Sequence, residues 1–229
     1  MDEAELSVRR NTVHALVGPN GSGKTTLLNV LSGIYKPTKG RLVFEGEPVT
    51  GLLPHERTAR GIGRTFQNVR LFKSMSVLEN AIIGAERPGN GVAVGSSGVE
   101  QHALAALDFV RLAEFRGAAA QSLSYGHQRL AEIARALAGS PKLLLLDEPG
   151  AGLNTVEKSE LVQLLKRLKG HGLTILIIDH DMSLVEQVAD RITVLNFGRR
   201  IADGPPTEVL RNPEVMTAYL GNAKPHVAT

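Results

Sequence analysis

The segment that most limits how this chain can fold is Gly18-Pro19-Asn20-Gly21-Ser22-Gly23-Lys24-Thr25. It follows the apolar run Val13 to Val17 and precedes Leu27, Leu28, Val30 and Leu31, which recur at helical spacing. The chain is therefore expected to pass from a buried strand through a glycine turn into a helix. The segment matches G-x-x-x-x-G-K-[ST] at every fixed position. Glycines suit a loop whose backbone N–H groups turn inward around phosphate oxygens without Cβ clashes. Lys24 offers a cation to terminal phosphates, Thr25 offers a hydroxyl to Mg²⁺, and the new helix aims its positive end at the same anion.

A second element belongs with such a loop. Leu143-Leu144-Leu145-Leu146 reads as a buried strand that delivers Asp147 and Glu148 at its C-terminal end, where α/β folds place ligands. Asp147 is expected to hold Mg²⁺, through water, and Glu148 to polarise an attacking water. Elsewhere, Leu42 to Phe44 predicts a strand, with Gly46 and Pro48 punctuating the following turn. Phe66 to Leu137 is mostly helical in pattern, interrupted by a Gly/Ser-rich surface loop from Gly89 to Gly98. Leu173 to Ile178 predicts a second buried parallel strand, with a helix over Val156 to Leu168 between it and the first. Ile192 to Asn196, Gly198 and Ile201 suggest a late hairpin. No internal repeat is visible. The pattern is an α/β core with a helical insertion in its middle.

Three further elements follow in order. Leu123-Ser124-Tyr125-Gly126-His127-Gln128 precedes an apolar helix, Gln67 lies in Arg64-Thr65-Phe66-Gln67, and His180 closes the second apolar strand in Ile177-Ile178-Asp179-His180-Asp181. Together with the glycine loop and the acid pair, these residues resemble the ABC ATPase family from about Leu6 to the end of the chain. Arg64 to Phe72, Ala151-Gly152-Leu153-Asn154, His180-Asp181-Met182 and Ala218-Tyr219-Leu220-Gly221 are similar to the ATP-binding subunits of branched-chain amino-acid uptake systems.

The resemblance implies an α/β P-loop NTPase core of the ABC type, with a mostly parallel sheet, a small antiparallel part and an inserted helical subdomain. The expected division is 1–67 and 139–229 for the core and 68–138 for the subdomain. It implies an ATPase that binds ATP through Gly18, Pro19, Asn20, Gly21, Ser22, Gly23, Lys24, Thr25 and Thr26, with Mg²⁺ held by Thr25, Gln67 and Asp147. Glu148, His180, Gln67 and Lys24 are the expected catalytic residues. Ser124, Tyr125, Gly126 and His127 form a signature that would grip ATP of a second ATPase subunit, head to tail. Ser124 is a good N-cap and Gly126 permits close backbone approach, so a second helix N-terminus can face the γ-phosphate. Implied partners are membrane permease subunits, a second ATPase subunit (the same chain or a paralogue) and, indirectly, a substrate-binding protein. The implied location is the cytoplasmic face of the membrane. Val69, Leu71, Phe72, Met75, Val77 and Leu78 are expected partly to pack the helical subdomain and partly to line a groove for a permease helix.

Composition removes other classes. Charged residues make up 21% of the chain, with a net charge of only +3 and 4% aromatic residues. Nucleic-acid binding wants clustered cations and stacking platforms, which are missing here. There are no cysteines, hence no disulfide or thiolate site. The apolar runs are strand-sized, too short to span a bilayer, so any membrane role passes through a partner. A soluble assembly-type ABC ATPase without a permease is the alternative; DNA-repair relatives would need long heptad runs and translation factors two motif sets. Relatives also carry an upstream strand and an adenine-stacking aromatic, whereas no aromatic precedes Tyr35. The chain therefore reads as N-terminally shortened, through a mis-assigned start or excision from a larger permease–ATPase fusion, with weakened ATP binding as the expected consequence.

Overall fold

The computed structural model describes residues 4–86 and 97–220. In chain order the elements are β1 (Val13–Val17), α1 (Lys24–Leu31), β2 (Val43–Phe44), β3 (Glu47–Pro48), α2 (Pro54–Ala59), β4 (Ile62–Arg64), α3 (Val77–Ala85), α4 (Ser97–Phe109), α5 (Tyr125–Ala138), β5 (Leu143–Asp147), α6 (Thr155–Gly170), β6 (Thr174–Ile178), α7 (Met182–Val188), β7 (Arg191–Asn196), β8 (Arg199–Gly204), α8 (Pro206–Val209) and α9 (Pro213–Leu220). Six strands form one sheet in the order β4-β5-β6-β1-β7-β8, parallel except for β8, and β2–β3 is a separate antiparallel hairpin.

Two details depart from the sequence expectation. Pro48 lies within β3, paired with Val43, rather than in the turn, which is Glu45-Gly46. Ser97 and Gly98 open α4 instead of closing a loop; residues 89–96 of the expected loop lie outside the described residues. The sequence pattern also gave no sign of α2 or β4, because six and three residues are too few to show a period.

The sheet is central because its strands are apolar on both faces, as parallel strands covered on both sides must be. Val13, Ala15, Val17, Leu144, Leu146, Ile175 and Ile177 face α5, α6 and α7 in one core. Leu16, Leu145, Leu176 and Ile178 face α1 in the other. Alternation with a period of two thus assigns neighbouring residues to opposite cores. Helices α3, α4 and α5 pack on one another, and their buried residues join the first of these cores. Gly84 of α3 makes the closest approach there, since a Cβ on it would collide with the backbone carbonyl of Arg135 in α5.

One buried residue breaks the apolar pattern of β1. His14 is 1% exposed, with its Nε2 2.7 Å from Thr193 Oγ1. The Thr193 hydroxyl donates to Asp203 Oδ1 at 3.1 Å, so it accepts from an Nε2–H of a neutral His14. Asp203 in turn is paired with Arg191. Burial lowers the His14 pKa to about 4, with the Arg191 charge adding to burial and the Asp203 charge opposing it. The folded pKa lies below the unfolded value, so the unfolded chain takes up a proton first as pH falls through 6.5. Stability is then lost down to about pH 4, where the loss approaches about 3 kcal/mol. Urea unfolding at pH 7 and pH 4 is expected to show wild type losing about 3 kcal/mol more than His14→Leu; equal losses would exclude a neutral buried histidine.

Candidate active site

The sheet order puts the C-terminal ends of β1, β5 and β6 side by side, which is where an open α/β sheet presents its ligands. The glycine loop leaves β1 and enters α1 without a side-chain cap and with no acid in the first turn of the helix. The start of α1 is therefore left without a side-chain cap, as a helix N-terminus open to an anion requires, while within the loop Ser22 N–H donates to Pro19 O at 3.2 Å. Gly18 has φ +150°, and a Cβ there would fall 2.1 Å from the carbonyl oxygen of Leu195 in β7. The loop is held from the same side by Gly198 N–H, which donates to Ser22 O at 2.9 Å. Lys24 is folded back on its own loop, donating to Gly18 O at 2.8 Å and Pro19 O at 2.9 Å. Burial lowers its pKa, while the charges of Glu148 and Asp147 raise it. Lysine and both acids thus share one electrostatic field.

Asp147 is buried, 4% exposed, at the end of β5. Burial raises its pKa, and the charge and hydrogen bond of Arg64 oppose that rise. Arg64 lies 3.3 Å from Asp147 Oδ2 and also donates to Asn29 Oδ1 and Ser32 Oγ, both at 2.7 Å. It therefore locks the acid to helix α1. Glu148 follows in the left-handed region, φ +46°, uncommon for a residue with a side chain. Its N–H donates to Ile178 O at 2.7 Å, which docks the turn on the end of β6.

Two sequence-predicted residues converge on this carboxylate. Gln67 Nε2 donates to Glu148 Oε2 at 3.0 Å, and His180 Nδ1 lies 3.5 Å from the same oxygen. Asp179, 1% exposed, accepts from Gly150 N–H at 3.0 Å and Asp181 N–H at 2.9 Å, bracing the turns after β5 and β6. Asp181 caps α7 and pairs with Lys158 at 2.6 Å. Sequence reasoning assigned no role to Arg64 or Asp179. Both stand inside the quoted segments, but nothing in the order of residues says which way either side chain turns.

The donor set suits Mg²⁺. A hydroxyl (Thr25), an amide oxygen (Gln67) and a buried carboxylate (Asp147) are the hard oxygen ligands that the ion takes in small number while keeping waters and substrate phosphates. Among the described residues there is no group of three or more His, Asp or Glu that could hold a metal ion.

The signature residues are not drawn into this cluster. Ser124 caps α5, its Oγ accepting from His127 N–H at 3.2 Å. Tyr125 is 43% exposed and lies against Gly152, while the His127 ring packs 4.7 Å from that of Phe115. A Cβ on Gly126 would meet the Glu157 carboxylate of α6, so that side chain would have to turn aside to admit one. Among the described residues, no hydrogen bond or ion pair joins Ser124, Tyr125, Gly126 or His127 to the glycine loop. Val77 is buried, and Leu71 and Leu78 pack on the core. Phe72 is exposed, its backbone held by Asn80, whose Oδ1 accepts from Phe72 N–H and whose Nδ2 donates to Phe72 O.

Comparison with known proteins agrees with this geometry. A family model described as ABC transporter matches residues 1–151, and one described as branched-chain amino acid ATP-binding cassette transporter matches residues 199–224. The chain is 44% identical to the high-affinity branched-chain amino acid transport ATP-binding protein BraF of Pseudomonas aeruginosa, over 95% of this chain and 90% of that one. It is 40% identical to the LivG protein of the same description from Escherichia coli K12, over 97% and 92%. Among solved structures, a nucleotide-free ATP-binding cassette from an ABC transporter superposes with a TM-score of 0.85 at 35% identity, covering 93% of this chain and 90% of its own. An ATP-binding cassette of an ABC transporter in its ADP conformation superposes at 0.84 with 36% identity, covering 94% and 90%.

Proposed function

Because the chain belongs to the ABC transporter ATP-binding family, we propose that it is the motor subunit of an importer for branched-chain or other hydrophobic amino acids. As a member of that family it is a nucleotide-binding ATPase. The amino-acid class is supported by the names of the relatives and by the match over residues 199–224. The observation that carries the catalytic reading is the convergence of Gln67 and His180 on one oxygen of Glu148, beside the buried Asp147.

In this reading the glycine loop, Gly18 to Thr26, wraps the phosphates of ATP. Thr25, Gln67 and Asp147 hold Mg²⁺, which when bound neutralises charge on the β- and γ-phosphates. Lys24 turns from its loop carbonyls to the same phosphates. Glu148 accepts the proton of the attacking water, His180 steadies that water and the γ-phosphate, and Gln67 reports the state of the site toward the helical layer. Residues 1–67 and 139–229 act as the catalytic core, and residues 68–138 as the subdomain that carries the signature. Among the described residues no helix is long and apolar enough to cross a membrane. Attachment to the cytoplasmic face would come through permease subunits, with the exposed Phe72 and its neighbours as part of the docking groove.

Ser124 to His127 would complete the ATP site of a second copy or a paralogue. Their separation from this chain's own phosphate loop supports that arrangement, as does the N-terminus of α5 being capped by a small hydroxyl. ATP would then be shared by two subunits, and loss of the γ-phosphate would loosen them. Transport can be followed with the permease complex that co-purifies from detergent-solubilised membranes, reconstituted in vesicles. ATP-dependent leucine uptake is expected. Ser124→Arg and Glu148→Gln, each inactive alone, should regain ATPase activity when mixed in equal amounts, since each mixed pair assembles one intact site from the glycine loop and Glu148 of one subunit and the Ser124 segment of the other. No recovery on mixing would overturn the shared site.

A further inference from the structure

Arg129 on α5 is 0% exposed, yet it carries a full charge in the interior. Its guanidinium donates to Phe66 O at 2.7 Å through one terminal nitrogen and to Gln67 O at 2.6 Å through the other. The first nitrogen also meets Glu132 Oε2 at 3.1 Å, and the second donates to the Tyr125 hydroxyl at 3.0 Å. Glu132, itself buried, accepts at its other oxygen from Arg70 N–H at 3.1 Å. The residues of the Gln67 segment lie outside any helix or strand, so no ladder fixes them.

The two carbonyls that Arg129 grips belong to the peptide planes on either side of the Gln67 Cα. Each plane is rigid, so holding both fixes φ and ψ at Gln67 and with them the direction in which its side chain leaves the backbone. That side chain ends 3.0 Å from Glu148. The same nitrogen that holds Gln67 O also holds the ring of the signature tyrosine. A planar guanidinium can span these acceptors; an ammonium on a flexible stem is a single point charge and cannot.

We propose that Arg129 is a positioning residue that aims Gln67 at the water-activating carboxylate and joins it mechanically to the signature helix. Displacement of α5 would thereby be transmitted to the Gln67 backbone as a rigid push, and any shift of Gln67 would move Tyr125. The inference rests on the catalytic reading of Gln67 and Glu148 given above. It adds a residue that touches neither nucleotide nor water.

Removing Arg129 alone would strand the buried Glu132 charge and unfold the layer, so the variant to make is Arg129→Met with Glu132→Leu. ATPase rates of the full chain are expected to fall 10- to 100-fold in kcat, with KM for ATP changed less than about threefold. Hydrogen exchange at residues 67–70 should speed up at least 10-fold while β1 and β5 remain protected. In a Gln67→Ala background the same double replacement should cost less than about threefold more, because the residue it aims is already gone. Arg129→Lys with Glu132 retained should show the kcat loss in milder form. Unchanged kcat with unchanged exchange at residues 67–70, or losses that simply multiply with that of Gln67→Ala, would overturn the positioning role. If Gln67→Ala itself keeps wild-type kcat while exchange at residues 67–70 still rises in the double variant, the mechanical tie stands and the catalytic reading of Gln67 fails instead.

Discussion

Glu148→Gln is expected to bind ATP within a few-fold of wild type and to hydrolyse it about 10²–10⁴ times more slowly, the usual cost of losing a positioned base. The geometry makes this substitution informative. Glu148 stands in the left-handed region with its N–H on Ile178 O, so its place is set by backbone and survives the change. Gln67 donates to Glu148 Oε2, and an amide oxygen at that position can still accept from it. What disappears is the negative charge and the capacity to take a proton from water. His180, 3.5 Å from the same oxygen, cannot replace it without moving. Single-turnover phosphate release read beside a nucleotide titration separates chemistry from binding. A rate within tenfold of wild type would remove Glu148 from the mechanism. Slow turnover with intact binding should also let an ATP-held dimer accumulate, visible as a shift in elution volume when ATP is present.

The second large effect is expected at Gly18. The motif explains its glycine by the approach of phosphate, but the fold adds a stronger constraint. A Cβ at Gly18 would sit 2.1 Å from Leu195 O and 2.8 Å from Ser22 Oγ, and the residue has φ +150°. The Leu195 oxygen is a backbone atom of β7, a strand paired on both sides, so it cannot swing aside as a side chain would. Gly18→Ala therefore combines backbone strain, of order 1–3 kcal/mol, with overpacking of similar size. A total of roughly 3 kcal/mol corresponds to a fall in Tm of about 6–12 °C in a domain of this length. Gly21 is the natural control, since a Cβ there meets nothing within 4 Å and only φ +78° opposes it. In nucleotide-free protein Gly18→Ala should melt well below Gly21→Ala, and its nucleotide affinity should fall at least tenfold as the loop shifts off β7. Equal melting temperatures would mean that β7 does not seat the loop.

Much of the site was legible because its chemistry is local. A strand, a glycine turn and a helix N-terminus are contiguous in sequence, so Gly18 to Thr25 announces phosphate binding without knowledge of the fold. Asp147 and Glu148 stood out only beside that loop, since a four-leucine run of strand length carries the acids after it to the C-terminal end of the sheet, where α/β folds place ligands. Gln67 and His180 were found only through likeness to a family, because one glutamine in a loop and one histidine after a strand carry no period or spacing of their own. Their meeting at Glu148 Oε2 is a tertiary event. The short elements α2 and β4 escaped for a related reason, being held by neighbours rather than by pattern.

What the sequence determined by itself was the fold class, the phosphate loop and the acid pair, since apolar periodicity and glycine sterics act between residues close in the chain. Which arginine braces Asp147, which residue grips both peptide planes of Gln67, and why Gly18 cannot bear a methyl group were decided only by the folded chain. Arg64 and Asp147 are 83 residues apart, Arg129 and Gln67 are 62 apart, and Gly18 is pressed by a strand that begins at Arg191. Contacts over such separations depend on sheet order and helix packing, and buried charges choose their partners only after water has been excluded.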